Sequence, residues 1–250
     1  MTLTDTHCHL ADKLLTAALP DIIRQAQAQG VCRFIVPSAN SGDFAAVARL
    51  AALPQVYPAF GIHPWFADTA DETAFDMLAA QLERYPQAWV GETGLDFLHA
   101  ADEAAKAVQQ AVFRRHLDLA QQLGRRVIAH NVKSSAALAA AVKHCGFTQG
   151  GIVHAFSGSL EEARILVRLG FKIGIGSLLL NPNAKKAREA AQKLDLQDIV
   201  LETDSPFMLK NQINTPANLY RIAETVAALR GIPLAELAAA TERNVDILLS

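Results

Sequence analysis

The chain has 250 residues, 51% of them hydrophobic, and a formal net charge of −2. That length suits one large domain and lies near the usual size of a (β/α)8 barrel. The charge excludes any bulk electrostatic attraction to nucleic acid, so such binding would need a local basic patch. Cys8, Cys32 and Cys145 lie far apart and form no CxxC pair, which fits a reducing compartment better than a disulfide framework. There is no signal-peptide start and no apolar run near the roughly 20 residues a bilayer requires. A soluble cytoplasmic protein is expected, with no membrane association and no obligate protein partner.

Met1–Thr4 reads as a short buried strand leading into Asp5-Thr6-His7-Cys8-His9. Residues two apart on a strand point to the same face, so His7 and His9 converge, as a metal site requires and a hydrophobic core does not. Pro20–Gln29 reads as a helix ended by Gly30, and Val31–Val36 as the second strand. A helix over Ser41–Ala51 takes Ser41 as its cap. Val56–Gly61 forms the third strand and leads into Ile62-His63-Pro64-Trp65. A helix over Asp71–Arg84 precedes the fourth strand, Ala88–Gly91, which ends at Glu92. The helix Asp102–Leu123 stops at Gly124, and the strand Arg126–Ala129 delivers His130. The helix Ser134–Lys143 is closed by Gly146, and the strand Gly151–Val153 delivers His154. Ser159 with Glu162 is a capping-box pattern for the next helix, which runs to Gly170. Phe171–Ile175 is the seventh strand and Asn183–Leu194 the following helix. Ile199–Leu201 is the eighth strand and delivers Glu202 and Asp204. Thr215 before Pro216 starts another helix, and a last one begins near Pro233.

Eight short apolar strands alternating with helices predict parallel βαβ units. A doubly wound sheet feeds its ligand site from a few strands at a switch point. Here candidate ligands follow strands one, four, five, six and eight, which a closed ring brings to one centre. The expected fold is a single (β/α)8 TIM-type barrel over residues 1–250, with its site at the carboxyl-terminal mouth of the strands.

His7, His9, Glu92, His130, His154 and Asp204 are the candidate metal ligands. Four imidazoles and two carboxylates exceed one tetrahedral ion and suit two divalent cations, with Glu92 able to bridge them through its two oxygens. Such a pair can lower the pKa of water and clamp both oxygens of a displacement. Asp204 is then both ligand and proton acceptor, so the catalytic residues are Asp204 and Glu92. Read singly, His130 or His154 could be a core histidine and Asp204 a turn or helix cap; their shared position after strands argues for the joint reading. His99, His116 and His144 are expected at the surface. His63 follows strand three at the same mouth, where substrate contact and plain loop structure are equal alternatives.

Asp5-Thr6-His7-Cys8-His9-Leu10, Gly61-Ile62-His63-Pro64, Gly91-Glu92-Thr93-Gly94-Leu95-Asp96, Val153-His154-Ala155-Phe156-Ser157-Gly158 and Leu201-Glu202-Thr203-Asp204-Ser205-Pro206 together resemble the TatD family of metal-dependent hydrolases and deoxyribonucleases. The similarity runs from residue 5 to the last helices. It implies an amidohydrolase-like barrel, two divalent ions (Mg, Mn or Zn) on the six ligands named above, and hydrolysis of DNA phosphodiesters. One position departs. The family usually carries an arginine two residues after the strand-five histidine, where this chain has Val132 followed by Lys133. Arginine there could grip a phosphate bidentately and valine cannot, so a shifted substrate preference is expected.

Further substrate contacts are sought at the rim. Lys185 and Lys186, near a helix start after strand seven, could bind phosphate, as could Lys133; Arg188 reads as a solvated helix face. Ser157 precedes another helix start and could offer a hydroxyl, and Glu202 is counted with the substrate contacts. Trp65, with Phe66 beside it, could stack on a nucleobase. The leading expectation is a deoxyribonuclease with DNA as substrate. The same scaffold acting on a small lactone, amide or phosphoester is the alternative, and a non-catalytic metal-binding protein a distant third.

Overall fold

A computed structural model describes residues 1–250. Its strands are β1 (Leu3–Asp5), β2 (Val31–Pro37), β3 (Val56–Phe60), β4 (Trp89–Asp96), β5 (Val127–Val132), β6 (Gly151–Val153), β7 (Phe171–Ile175) and β8 (Ile199–Leu201). They form one parallel sheet in the order β1 to β8. The helices are α1 (Lys13–Thr16), α2 (Leu19–Ala28), α3 (Phe44–Leu50), α4 (Glu72–Arg84), α5 (Glu103–Leu123), α6 (Ser135–His144), α7 (Leu160–Arg168), α8 (Lys185–Lys193), α9 (Leu219–Arg230) and α10 (Leu234–Leu249). The strand-and-helix alternation therefore gives the expected barrel.

Strands buried on both faces need apolar residues on both. Ile35, Ala59, Trp89, Ile128, Ile152 and Val200 point inward, one from each of six strands, and Val245 and Leu248 of α10 pack against them. Their neighbours Phe34, Val36, Phe60, Val90, Val127, Val153 and Leu201 point outward into a second core shared with the helices. The amino end of the barrel is thus stoppered by α10, which leaves the carboxyl end for chemistry.

β8 meets β1 without a regular ladder. The Thr6 N–H donates to the Leu201 carbonyl at 3.0 Å and the Asp204 N–H to the His7 carbonyl at 2.9 Å. Between them the buried Asp5 carboxylate accepts the Thr203 N–H at 2.9 Å and the Thr203 hydroxyl at 2.6 Å. Burial pushes the Asp5 pKa up to about 7 against these bonds.

Several sequence expectations are corrected. β4 runs past its expected end through Glu92 to Asp96, and β5 through His130 to Val132, so these two ligands sit inside strands. The extension depends on Gly94 (φ +138°), where a Cβ would lie only 2.2 Å from the His130 carbonyl oxygen. Asn40, not Ser41, caps the turn before α3, reciprocally with Asp43. Thr215 makes no capping bond, and the helix expected from Asn183 begins at Lys185. His116 is not a surface residue: it is fully buried on α5, where Nδ1 donates to the Val112 carbonyl at 2.8 Å and Nε2 accepts the Ile62 N–H at 3.1 Å. His99 and His144 are exposed as expected.

Candidate metal centre

All six expected ligands meet at the carboxyl-terminal mouth, around the two oxygens of Glu92. On one side His7 Nε2 lies 3.1 Å from His9 Nε2, 3.2 Å from Glu92 Oε2 and 3.6 Å from Asp204 Oδ1. His9 Nε2 is 3.4 Å from both of those oxygens. On the other side Glu92 Oε1 lies 2.6 Å from His154 Nε2 and 2.9 Å from His130 Nδ1, with the two ring nitrogens 3.0 Å apart. His63 Nε2 adjoins this second group, 3.3 Å from Glu92 Oε1 and 3.1 Å from His130 Nδ1.

The donor set fits divalent cations. Ligand atoms about 2.0–2.1 Å from a tetrahedral ion lie roughly 3.3 Å from one another, close to the spacings in both groups. Imidazole nitrogens that face each other cannot all be satisfied by ring protons, whereas a shared cation satisfies them together. Each group draws its ligands from different elements: β1 and the β8 turn for the first, β5 and the β6 end for the second, with β4 in both. The first group exists only where β8 meets β1 and β4 faces them across the mouth, whereas the second comes from three neighbouring strands.

The charges follow from burial and proximity. Burial and the neighbouring His154 push His7 down to about 4. Burial also disfavours charge on His9 and His130, yet the carboxylates outweigh it. Asp204 and Glu92 push His9 up to about 10, and Asp96 and Glu92 push His130 up to about 9. Glu92 is held well below the ordinary range, because the surrounding imidazoles overcome its burial. Asp204 is likewise lowered, His9 outweighing burial. Protons therefore occupy sites that a cation must take over.

One carboxylate missed in the sequence organises the outer layer. Asp96 is buried, and its Oδ2 accepts from His130 Nε2 at 3.3 Å, His99 Nδ1 at 2.8 Å and the Trp65 indole N–H at 2.8 Å. Oδ1 accepts the Leu98 and His99 backbone N–H groups, each at 3.1 Å. A carboxylate only accepts, so between Asp96 and Glu92 His130 carries a proton on each nitrogen, and a cation on Nδ1 would displace the proton there while Asp96 keeps the one on Nε2,.

A sequence model of the family described as "TatD related DNase" matches residues 4–250. The chain belongs to the TatD family. It is 34% identical to the Escherichia coli protein YjjV, named as an uncharacterized metal-dependent hydrolase, over 98% of this chain and 97% of that one. It is 30% identical to YabD of Bacillus subtilis, similarly named, over 98% of each. The crystal structure of YjjV, described as a TatD homolog, superposes with a TM-score of 0.92 over 98% of this chain and 97% of that one. A TatD-family hydrolase from Entamoeba histolytica, 20% identical, shares the fold with a TM-score of 0.87 over 99% and 98% of the two chains. The protein is thus a TatD-family metal-dependent hydrolase.

The remaining candidates divide by depth in the TatD mouth. Trp65 stands at the rim, 59% exposed, its ring edge-on to His63 at 5.0 Å. Phe207, also exposed, lies against His9 at 5.6 Å on the other flank. Lys133 (φ +55°), Ser157, Lys185 and Lys186 are all exposed, and Val132 is half-buried. Ser159 and Glu162 form the expected capping box. Glu202 is fully buried, its Oε1 accepting the Ala155 N–H at 2.5 Å and lying 3.9 Å from His154 Nδ1. It stands behind His154. No helix is long and apolar enough to cross a membrane.

Proposed function

We propose that this protein is a deoxyribonuclease that hydrolyses DNA phosphodiester bonds with two divalent cations. His7, His9, Glu92 and Asp204 would hold one ion, and Glu92, His130 and His154 the other. The observation that carries the reading is that each oxygen of Glu92 has its own set of ligand atoms, as a bridging carboxylate between two ions requires. Imidazole suits zinc, and the carboxylates also admit manganese and magnesium. Bound there, the cations would bring the pKa of water towards neutrality and neutralise the charge of a phosphodiester.

The chain's own groups do the rest. Asp204, anchored by its N–H on the His7 carbonyl, is lowered in pKa and so ionised at neutral pH, ready to take the proton of the attacking water. Trp65 and Phe207 offer exposed faces on either flank for bases to stack on,. With a net charge of −2, phosphate must be met locally, and the exposed Lys133, Lys185 and Lys186 at the mouth supply that charge. The family's own description as DNases supports this substrate.

Val132 favours a second reading, a hydrolase of a small lactone, amide or phosphoester, because valine at this position cannot pair with a phosphate as an arginine could. The test is cleavage of labelled single-stranded DNA by metal-stripped protein resupplied with magnesium, manganese or zinc, with Asp204→Asn in parallel. Cleavage restored by metal and nearly abolished in the variant supports the nuclease. No cleavage with any ion, in protein that rebinds metal, moves the assignment to the small-substrate hydrolase.

A further inference from the structure

His63 sits where a seventh ligand could sit, with Nε2 within 3.3 Å of Glu92 Oε1 and 3.1 Å of His130 Nδ1. Its other nitrogen decides otherwise. The residue before a proline is driven to extended backbone, and His63, preceding Pro64, adopts φ −61° and ψ 145°, the conformation of a helix cap. In that pose Nδ1 accepts the Trp65 backbone N–H at 3.1 Å. A backbone amide can only donate, so Nδ1 holds a lone pair and the proton of the neutral ring is on Nε2. A ring nitrogen that carries its proton cannot ligate a cation.

We propose that His63 is a fixed Nε2–H hydrogen-bond donor aimed at the reaction site, and that it takes an anionic phosphoryl oxygen of the substrate rather than a metal. The surrounding bonds form one consistent series. Trp65 N–H donates to His63 Nδ1, His63 Nε2–H faces the accepting Glu92 Oε1 at 3.3 Å, and His130 Nε2–H donates to Asp96. Glu92 Oε1 would turn to a cation, and that acceptor is then withdrawn from His63. The freed N–H remains beside the second ligand group, which has only three protein ligands and therefore room for an exogenous one. A neutral imidazole donor stabilises charge without giving up its proton. The surrounding structure holds the donor in place: His63 is 7% exposed, and its own N–H is bonded to the Ala39 carbonyl at 2.8 Å.

The phosphoryl oxygen rests on the nuclease reading; the tautomer and the absence of ligation do not, and the experiment separates them. In zinc-loaded wild-type protein, nitrogen-15 NMR of the imidazoles should show His63 protonated at Nε2 with a free Nδ1. A His63 that is bare at Nε2 and protonated at Nδ1 overturns the proposal. His63→Ala should keep zinc at wild-type stoichiometry and affinity, measured against a chelator, while Glu92→Ala does not. Loss of zinc from His63→Ala in step with Glu92→Ala also overturns it. On single-stranded DNA, kcat of His63→Ala should fall by about 10²–10³, the usual effect of losing one such donor. His63→Gln, which can present an amide N–H near the same place, should recover part of it. If His63→Ala does not fold, as judged by circular dichroism, the wild-type NMR result and the glutamine variant still decide. Should wild-type cleave no DNA, the nuclease reading fails alone, and the NMR and zinc measurements stand.

Discussion

At pH 5 an imidazole in an unfolded chain, with an ordinary pKa near 6.5, is almost wholly protonated. His116 in the folded protein is pushed down to about 4, chiefly by burial, and is almost wholly neutral at that pH. The unfolded state therefore binds more protons between pH 4 and 6.5, and stability due to this group is complete above pH 6.5 and lost as pH falls. From the two pKa values the loss is about 2 kcal/mol by pH 5 and about 3 kcal/mol below pH 4. His116→Gln removes the titration while leaving groups that can reach the Val112 carbonyl and the Ile62 N–H. Urea unfolding of both proteins at pH 7.5 and pH 5, stripped of metal, isolates the effect, because every other titrating group is common to the pair. The variant is expected to be less stable at pH 7.5 by about 1 kcal/mol, the ordinary cost of an imperfect hydrogen bond. On acidification it should lose about 2 kcal/mol less than the wild type. Parallel pH dependences for the two proteins would refute the neutral, buried imidazole. Since Ile62 directly precedes His63, acid should loosen this side of the mouth.

Glu92→Ala should lose tightly bound metal together with activity, measured by metal analysis after gel filtration; full occupancy with full turnover would remove Glu92 from the bridging role. Because His9 and His130 are pushed up to about 10 and 9, both carry protons at pH 7 that a cation must displace. Calorimetry in buffers of different ionisation enthalpy should therefore report about two protons released per fully loaded protein, and affinity rising with pH towards 9. Val132→Arg should raise kcat/KM on single-stranded DNA by about tenfold, the effect of a phosphate contact contributing about 1.4 kcal/mol. An unchanged rate would show that the departure at this position does not concern phosphate.

Much of this was legible in the sequence because strands and ligands share a simple code. Short apolar runs carry the alternation of inward Ile35, Ile128 and Ile152 with outward Phe34, Val127 and Val153. The polar residue after each run lands at the mouth. What failed did so for identifiable reasons. β4 and β5 outrun their apolar segments because Gly94 lets their backbones approach closely, a contact between residues distant in sequence. His116 was misread from its residue type alone; Val112, Phe113, Leu117 and Ala120 surround it on one helical stripe, and that spacing was the available signal. Asp96 lies in the Gly91–Asp96 motif, but its partners Trp65 and His130 come from distant segments and only His99 is local. The His63-Pro64-Trp65 sequence did hold the information for the His63 tautomer, since proline sets the backbone that brings the Trp65 amide to Nδ1.

The seam between β8 and β1 has a bearing on how the protein is made. His7 and His9 lie among the first residues of the chain, and Asp204 is held to His7 across a join made by single bonds and the Asp5–Thr203 pair instead of a ladder. A cation bound by these residues ties the two ends of the barrel together and binds only the closed form, so it stabilises that form in proportion to its concentration over its dissociation constant. Nascent chains that have not yet presented residue 204 hold His7 and His9 without the carboxylate that completes their group. The His7–His9–Asp204 group is thus completed only in chains whose last strand has docked, whereas Glu92, His130 and His154 are brought together by β4 to β6 alone.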